Sequence, residues 1–333
     1  MARILITGAS GFIGGYLVAQ ALKNGHDVTA AVRPNSDRKR LTDPRLNLLE
    51  LPLNDVAVMT ATLQSAGHFD WVIHNAGVTK ALTLDTYREG NTENTRRLTM
   101  ALQALERGPD KFLFVSSLAA LGPAPLGSEM IRASQTPEPL TAYGESKRQT
   151  ELFLESLSAD FPWVVVQPTA VYGPWERDIL TFIRLANKGL ELTIGRKSQR
   201  LSFVHAADVA NAIFQILETQ TPVKHRKYIV SDGNAYTTED LGAAVRAALG
   251  GKKTVKIRLP LGLIKQVAGI AETLGRWQNK PSPLNRDKIP ELAAENWHCD
   301  ATPLFETLQF QPEFDLDRGM LHTVDWYRQA GWL

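Results

Sequence analysis

Residues Arg3 to Thr7 form a short apolar run that stops at Thr7-Gly8-Ala9-Ser10-Gly11-Phe12-Ile13-Gly14. Beyond it Ile13, Leu17, Val18, Ala21 and Leu22 recur at helical spacing until Asn24-Gly25. This succession of strand, tight turn and helix constrains the fold more than any other feature of the chain. Glycines there let the chain turn sharply, let backbone approach a pyrophosphate, and let the helix pack closely on the strand. The helix start adds unpaired N–H groups and the positive end of its dipole. The spacing is G-x-x-G-x-x-G rather than the commoner G-x-G-x-x-G. An ordinary strand-to-helix turn also carries glycines. This one opens the first strand–helix junction and is followed by a second strand, the context of a dinucleotide site. Gly8, Ser10, Gly11, Phe12, Ile13 and Gly14 are the expected contacts.

Strand-like and helix-like segments alternate through the first half. Val28 to Val32, Leu46 to Leu51, Trp71 to Asn75, Phe112 to Ser116 and Trp163 to Gln167 read as further strands. Long helical patterns run from about Leu84 to Arg107 and from about Tyr143 to Leu157. This predicts an α/β fold with a parallel, doubly wound sheet. The second half is less regular: Ala206 to Leu217 reads as a helix, Ser202 to Val204 and Tyr228 to Val230 as strands. After about Thr237 the pattern is mainly helical, with a turn at Lys280-Pro281-Ser282-Pro283. Lys and Arg number 37 against 35 Asp and Glu, a net charge of +2 without a run of five like charges, so nucleic acid is not an expected partner. One cysteine, Cys299, excludes an internal disulfide and a Cys-based zinc site, and no metal is expected. No stretch approaches 18 apolar residues, so no integral membrane segment is expected. With no apolar signal region at Met1, the expected compartment is the cytoplasm.

The end of the second strand bears on which nicotinamide cofactor is favoured. An acidic residue there would hold the ribose hydroxyls of NAD. Arg33 stands in its place, and a guanidinium suits a 2′-phosphate. Ser36, Arg38 and Lys39 lie just beyond, while Asp37 follows Pro34 and is outside the strand end. NADP(H) is therefore favoured and NAD(H) left open. The competing reading of Arg33 is a solvated surface residue.

Tyr143-Gly144-Glu145-Ser146-Lys147 puts Tyr143 and Lys147 four residues apart, on one helix face. A phenol at that position can exchange a proton with an alcohol as hydride moves. Its ordinary pKa of about 10 is high for this task, and a nearby ammonium is expected to lower it. Lys147 is also placed to hold a nicotinamide ribose. Ser117, just past the fifth strand, is on the carboxyl side of the sheet, where it can orient a substrate oxygen; Ser116 is its competitor.

Together these features resemble the extended short-chain dehydrogenase/reductase family. The matching residues are Thr7-Gly8-x-x-Gly11-x-x-Gly14, His74-Asn75-Ala76-Gly77, Asn91, Ser116-Ser117, Tyr143-x-x-x-Lys147, Pro168-Thr169-Ala170-Val171-Tyr172-Gly173-Pro174 and Phe203-Val204-His205-Ala206-Ala207-Asp208-Val209. The resemblance implies a Rossmann-type sheet with a smaller, mainly helical C-terminal substrate lobe. Residues 1–167 plus about 200–235 would bind the cofactor, and about 168–199 plus 236–333 the substrate. It implies Ser117, Tyr143 and Lys147 as catalytic, with Asn91 in a structural and proton-relay role. It adds Asn75, Ala76, Gly77 and Pro168 to the cofactor contacts. Pro52 replaces the family's adenine-contacting Asp, which leaves that task to the backbone of Leu53 and Asn54.

Departures from the pattern narrow the reaction. Leu118 and Ala119 stand where the sugar-nucleotide dehydratases carry an Asp-Glu pair. Ala170, Val171 and Leu201 stand where the sugar-nucleotide branch commonly places polar anchors, with Arg196, Lys197 and Arg200 near enough to compensate. Phe203-Val204-His205 looks like the dihydroflavonol-reductase and 3β-hydroxysteroid-dehydrogenase branch. His205 reads as structural, Asp208 as capping or orienting the following helix, and Trp297, Trp326 and Trp332 as core or interface anchors. Leu261, Ile264, Val267, Ala268 and Ile270 form a broken apolar stripe, most simply a docking face. The expected reaction is hydride transfer between NADP(H) and a small, rather apolar ketone or secondary alcohol. A nucleotide-sugar 4-epimerase is the alternative, and a non-catalytic dinucleotide-binding sensor or scaffold is the alternative from another class. A homodimer is left open.

Overall fold

The computed structural model describes residues 1–195, 198–277 and 285–333, without the side chains of 274–276. The expected turn at Lys280 to Pro283 and the cations Arg196 and Lys197 lie outside the described residues. The chain runs through β1 (Arg3–Thr7), α1 (Phe12–Lys23), β2 (Asp27–Val32), β3 (Asn47–Glu50), α2 (Val56–Ala66), β4 (Trp71–His74), α3 (Leu84–Tyr87), α4 (Asn94–Gln103), β5 (Lys111–Val115), α5 (Ala142–Glu155) and β6 (Trp163–Pro168). It continues through β7 (Ala170–Tyr172), α6 (Asp178–Asn187), β8 (Leu190–Ile194), β9 (Arg200–Leu201), β10 (Phe203–His205), α7 (Ala206–Glu218) and β11 (Arg226–Val230). Last come β12 (Tyr236–Thr237), α8 (Thr238–Ala248), β13 (Val255–Leu259), α9 (Leu261–Trp277), α10 (Ile289–Ala293), β14 (Asn296–Trp297), α11 (Thr302–Leu308) and α12 (Leu316–Gln329).

Seven parallel strands form the main sheet in the order β11-β6-β5-β4-β1-β2-β3. The chain builds outward from β1 to β3 and then returns to add β4 on the other side of β1. That reversal opens a crevice at the carboxyl ends of β1 and β4, where ligands of such sheets sit. The central strands β1, β4, β5 and β6 are mostly apolar without alternation because both faces are covered, while the edge strand β3 is largely exposed. Ile4 and Ile6 pack with Leu17, Val18, Ile213 and Phe214 on one face. Leu5, between them, packs with Met59, Leu63, Leu98 and Phe112 on the other. This is the Rossmann-type fold the alternation predicts.

Two expectations are corrected. The helix expected over Leu84 to Arg107 runs unbroken from Leu84 but stops at Gln103, and within it Arg88–Glu93 shift to π-type hydrogen bonding between α3 and α4. The mainly helical reading after Thr237 misses β13, which pairs in parallel with β8, Val255 opposite Leu190. Neither strand is held by local pattern, since each needs a partner about 65 residues away to complete its hydrogen bonds. Among the described residues no helix is long and apolar enough to cross a membrane. Of the stripe on α9, Ile264 and Ala268 are buried, while Val267 and Ile270 are exposed.

Candidate active site

The glycine-rich turn is closed by contacts that only glycine permits at two positions. Gly8 has φ +67°, and a Cβ there would lie 2.6 Å from the Ala76 nitrogen. A Cβ on Gly14 would lie 2.1 Å from the Gly8 carbonyl oxygen, so α1 packs directly on the turn. Gly11 is the N-cap of α1 and brings no side chain to cap it. The first-turn N–H groups at Phe12 and Ile13 therefore face the crevice without a side-chain acceptor from the cap, as an anion site requires. Ser10 completes the turn. A dinucleotide fits this cradle: the backbone is stripped of side chains where a pyrophosphate would sit against the helix start.

A buried hydrogen-bonded chain ties the turn to the loop after β4. The Ala76 N–H donates to Thr7 Oγ1 at 3.1 Å, and Thr7 Oγ1 lies 2.7 Å from His74 Nδ1. His74 Nε2 lies 2.9 Å from Thr95 Oγ1, which itself donates to the Asn91 carbonyl at 2.6 Å. Thr95 thus accepts from His74, which fixes the proton on Nε2 and leaves Nδ1 to accept from Thr7. Burial, aided by the Lys147 charge, pushes His74 down to about 3 and keeps it neutral. Asn75 Nδ2 donates to the Gly8 carbonyl at 3.2 Å, closing the same join.

Asn91 sits in the π turn with its side chain fully used. Its Nδ2 donates to the Val78 carbonyl at 3.0 Å and to Ser146 Oγ at 2.8 Å, and its Oδ1 accepts from the Val78 N–H at 2.7 Å. It braces the loop that follows Gly77. A Cβ on Gly77 would approach Asn91 Oδ1 to 2.8 Å and Lys147 Nζ to 3.3 Å, so the three meet at one point.

Tyr143 enters from the start of α5, whose N-cap Thr141 accepts from the Gly144 N–H at 3.1 Å. Ser117 caps the short 3-10 turn Leu118–Ala120, accepting from the Ala119 N–H at 3.2 Å, and its hydroxyl lies near enough to the Tyr143 phenol to favour the ionised form. Ser116 points the other way and is bound by the buried Glu151 carboxylate, which resolves the ambiguity between the two serines. Burial pushes the Tyr143 phenol up to about 12; the nearby Ser117 hydroxyl opposes this, and the charge of Glu291 adds to it. The expected lowering by Lys147 is corrected: its Nζ is held by the Val115 carbonyl at 2.8 Å. Burial brings Lys147 down to about 8, against the pull of Glu151.

Arg33 is exposed directly after β2, and its N–H donates to Ser36 Oγ at 2.9 Å in a tight turn. Arg38 pairs with Glu50 at 2.7 Å on the surface. Sequence reasoning missed Arg40, which donates to the carbonyls of Gly11 at 3.2 Å and Phe12 at 2.8 Å and lies between the rings of Tyr16 and Trp175. Leu53 lies in the turn after β3, and Pro168 closes β6 opposite Val230. All these residues collect along the carboxyl edge of the sheet.

A cavity of about 390 Å³ adjoins Tyr143, lined by Ala81, Leu82, Tyr87, Ala142, Arg286 and Asp287 among others. The Tyr87 and Tyr143 rings are 6.3 Å apart. The Asp287 carboxylate accepts from the Ala142 N–H at 3.0 and 3.1 Å, and Lys288 Nζ lies 5.7 Å from the Tyr143 ring centre. Residues 285–291 were invisible to sequence reasoning because nothing local marks them as neighbours of residue 143. A second hollow, about 530 Å³, lies among Met1, His26, Trp71 and Glu218 at the opposite edge of the sheet and touches none of this chemistry.

The remaining motif residues pack within the protein. His205 is buried and neutral, brought down to about 3 by burial, with Phe314 4.1 Å away and His322 Nδ1 at 3.2 Å. Asp208 does not cap α7; its carboxylate accepts from the Glu313 and Phe314 N–H groups at 2.9 and 3.0 Å and ties down the chain before α12. Cys299 is buried and pushed up to about 11, away from Tyr143 and next to Ser202.

The chain is 29% identical over 333 residues to a ceramide reductase of Caulobacter vibrioides, covering 99% of this chain and 96% of that protein. It is 27% identical over 338 residues to a UDP-glucose 4-epimerase of Vibrio cholerae, covering 98% and 96%. Its fold matches the crystal structure of a UDP-glucose 4-epimerase from Thermotoga maritima with a TM-score of 0.78, at 20% identity and over 98% of this chain and 99% of that one. A model described as the NAD dependent epimerase/dehydratase family matches residues 4–231. The chain thus belongs to the NAD-dependent epimerase/dehydratase family of extended short-chain dehydrogenases/reductases, enzymes that bind NAD(P).

Proposed function

We propose that the protein is an NADPH-dependent reductase of an apolar ketone or aldehyde, or runs the reverse oxidation of the matching secondary alcohol. The observation that carries this reading is the Ser117 hydroxyl set close to the phenol of Tyr143, beside a cavity with Ala81, Leu82, Leu84 and Tyr87 on its apolar side and Glu272, Arg286 and Asp287 on its polar side. The nicotinamide, when bound, supplies or accepts hydride. Ser117 then polarises the substrate oxygen, and Tyr143 Oη gives it a proton. A phenol held near 12 is protonated at neutral pH, which suits a proton donor. Lys147, buried beneath it, holds the nicotinamide ribose, and Asn91 keeps the Gly77 loop and Lys147 in place. The turn from Gly8 to Gly14 takes the pyrophosphate, and the exposed Arg33 takes a 2′-phosphate. Residues 1–167 and about 200–235 form the cofactor lobe, the rest the substrate lobe. Similarity to a ceramide reductase supports a lipid-like carbonyl substrate.

The second reading, a nucleotide-sugar 4-epimerase, is supported by similarity to the Vibrio cholerae enzyme. Against it, Ala170, Val171 and Leu201 offer a diphosphate neither charge nor amide side chain. Calorimetry against UDP, GDP and dTDP sugars, with NADPH oxidation followed on a panel of apolar ketones, separates the two. Turnover of a ketone with no tight sugar-nucleotide binding supports the reductase. Tight binding of a sugar nucleotide with epimerisation at C4 replaces it with the epimerase.

A further inference from the structure

The segment from residue 250 to 271 carries five cations, Lys252, Lys253, Lys256, Arg258 and Lys265, and no acidic residue, in a chain whose net charge is only +2. It forms β13 and the first half of α9, and both leave apolar side chains in solvent. On α9 Leu263, Val267, Ile270 and Trp277 are exposed, Ile270 by 63% and Trp277 by 84%. Their spacing places them on one stripe, away from Ile264 and Ala268, which are buried against the protein. On β13 Val255 and Ile257 are exposed, and the parallel register sets Val255 beside Leu190, itself exposed. Lys256 and Arg258 lean toward Glu191 and Glu239 but remain more than half exposed. Lys253 and Lys265 form no ion pair among the described residues. The inward side of α9 bears Glu272, which lines the cavity beside Tyr87 and Ala142. One helix therefore walls the cavity on one side and shows an apolar stripe to solvent on the other.

We propose that this face docks the enzyme on the surface of an anionic lipid bilayer, with Leu263, Val267, Ile270 and Trp277 in the headgroup boundary and the lysines against anionic headgroups. Trp277 suits that depth, with an apolar body and a polar N–H. A second copy of the chain fits less well. A two-fold interface would set this patch against itself and bring the cations of both copies together without an acid from the segment. The docking rests on the reductase reading for its purpose: the cavity beside Tyr143 would then take a lipid carbonyl at the membrane surface.

Sedimentation with vesicles of phosphatidylcholine, with and without about one-third phosphatidylglycerol, tests the docking. The expected result is binding to the anionic vesicles, weakened by salt, and reduced about tenfold or more in Leu263→Ser/Val267→Ser/Ile270→Ser. Lys252→Glu/Lys253→Glu should lose the preference for phosphatidylglycerol while keeping the apolar stripe. Circular dichroism and NADPH binding check that both variants are folded. No sedimentation of the wild type, or undiminished sedimentation of the serine variant, overturns the proposal. A wild-type dimer by light scattering that becomes a monomer in the serine variant, without vesicle binding, replaces it with an interface between copies. Vesicle binding is read without turnover, and turnover on a water-soluble ketone tests the reductase reading separately, so either can fail alone.

Discussion

Gly144 packs against Ala119 so closely that a Cβ on residue 144 would come within 2.4 Å of the Ala119 carbonyl oxygen. This approach sets the start of α5 on the 3-10 turn that Ser117 caps, and so brings Tyr143 to Ser117. Gly144→Ala should push the two elements apart. A displacement on the scale of 1 Å at reacting groups costs about a hundredfold in rate. Turnover should fall by about that factor, with the fold retained by circular dichroism. An unchanged rate would mean that the pairing of Tyr143 and Ser117 does not depend on this contact.

Tyr143→Phe removes one hydroxyl and should lower turnover by about a hundredfold to ten-thousandfold while leaving cofactor affinity near wild type. Lys147→Ala should weaken both. Stopped-flow turnover with fluorescence titration of NADPH separates these outcomes. Near wild-type rates in Tyr143→Phe would remove Tyr143 as the proton donor.

The pH profile of reduction follows from two buried groups. Tyr143, up to about 12, stays protonated across the working range. Lys147, down to about 8, is charged below that pH and loses its charge above it. Cofactor affinity should therefore hold from about pH 6 to 7 and weaken as pH rises through about 8. Glu291→Gln removes a charge that raises the phenol, so it should move the Tyr143 ionisation down and leave the Lys147 step in place. A profile flat to pH 10 would show that Lys147 does not govern binding.

Arg33 stands exposed at the end of β2. Arg33→Asp should weaken NADPH about tenfold or more and spare NADH, because only NADPH has the 2′-phosphate. Equal losses with both cofactors would assign Arg33 to the surface alone.

His74→Phe keeps the ring but breaks the chain from Ala76 through Thr7 to Thr95 and Asn91. Two buried hydroxyls lose a partner, so denaturant unfolding should show a loss of about 1–3 kcal/mol. Cofactor affinity should fall with it, since the same chain holds the Gly8 turn to Gly77. Unchanged stability would mean that Thr7 and Thr95 find other partners.

The local sequence determined whatever depends on residues within a turn or two of one another. The turn from Gly8 to Gly14, the strand ahead of it and the helix behind it are legible because glycine and apolar spacing act locally. Tyr143 and Lys147 share a face because they are one helical turn apart. The central strands of the main sheet were legible because burial on both faces demands unbroken apolar runs. Tertiary structure alone decided the rest. The π bulge at Arg88–Glu93 lies where Asn91 turns its side chain to Val78 and Ser146, 13 and 55 residues distant. Pairing of β8 with β13 and closure of residues 285–291 over Tyr143 likewise need partners far along the chain. The ionisation of Tyr143 depends on how deeply neighbours bury it and on which carbonyl claims Lys147. Desolvation is a property of the assembled volume, and no spacing rule along the chain encodes it.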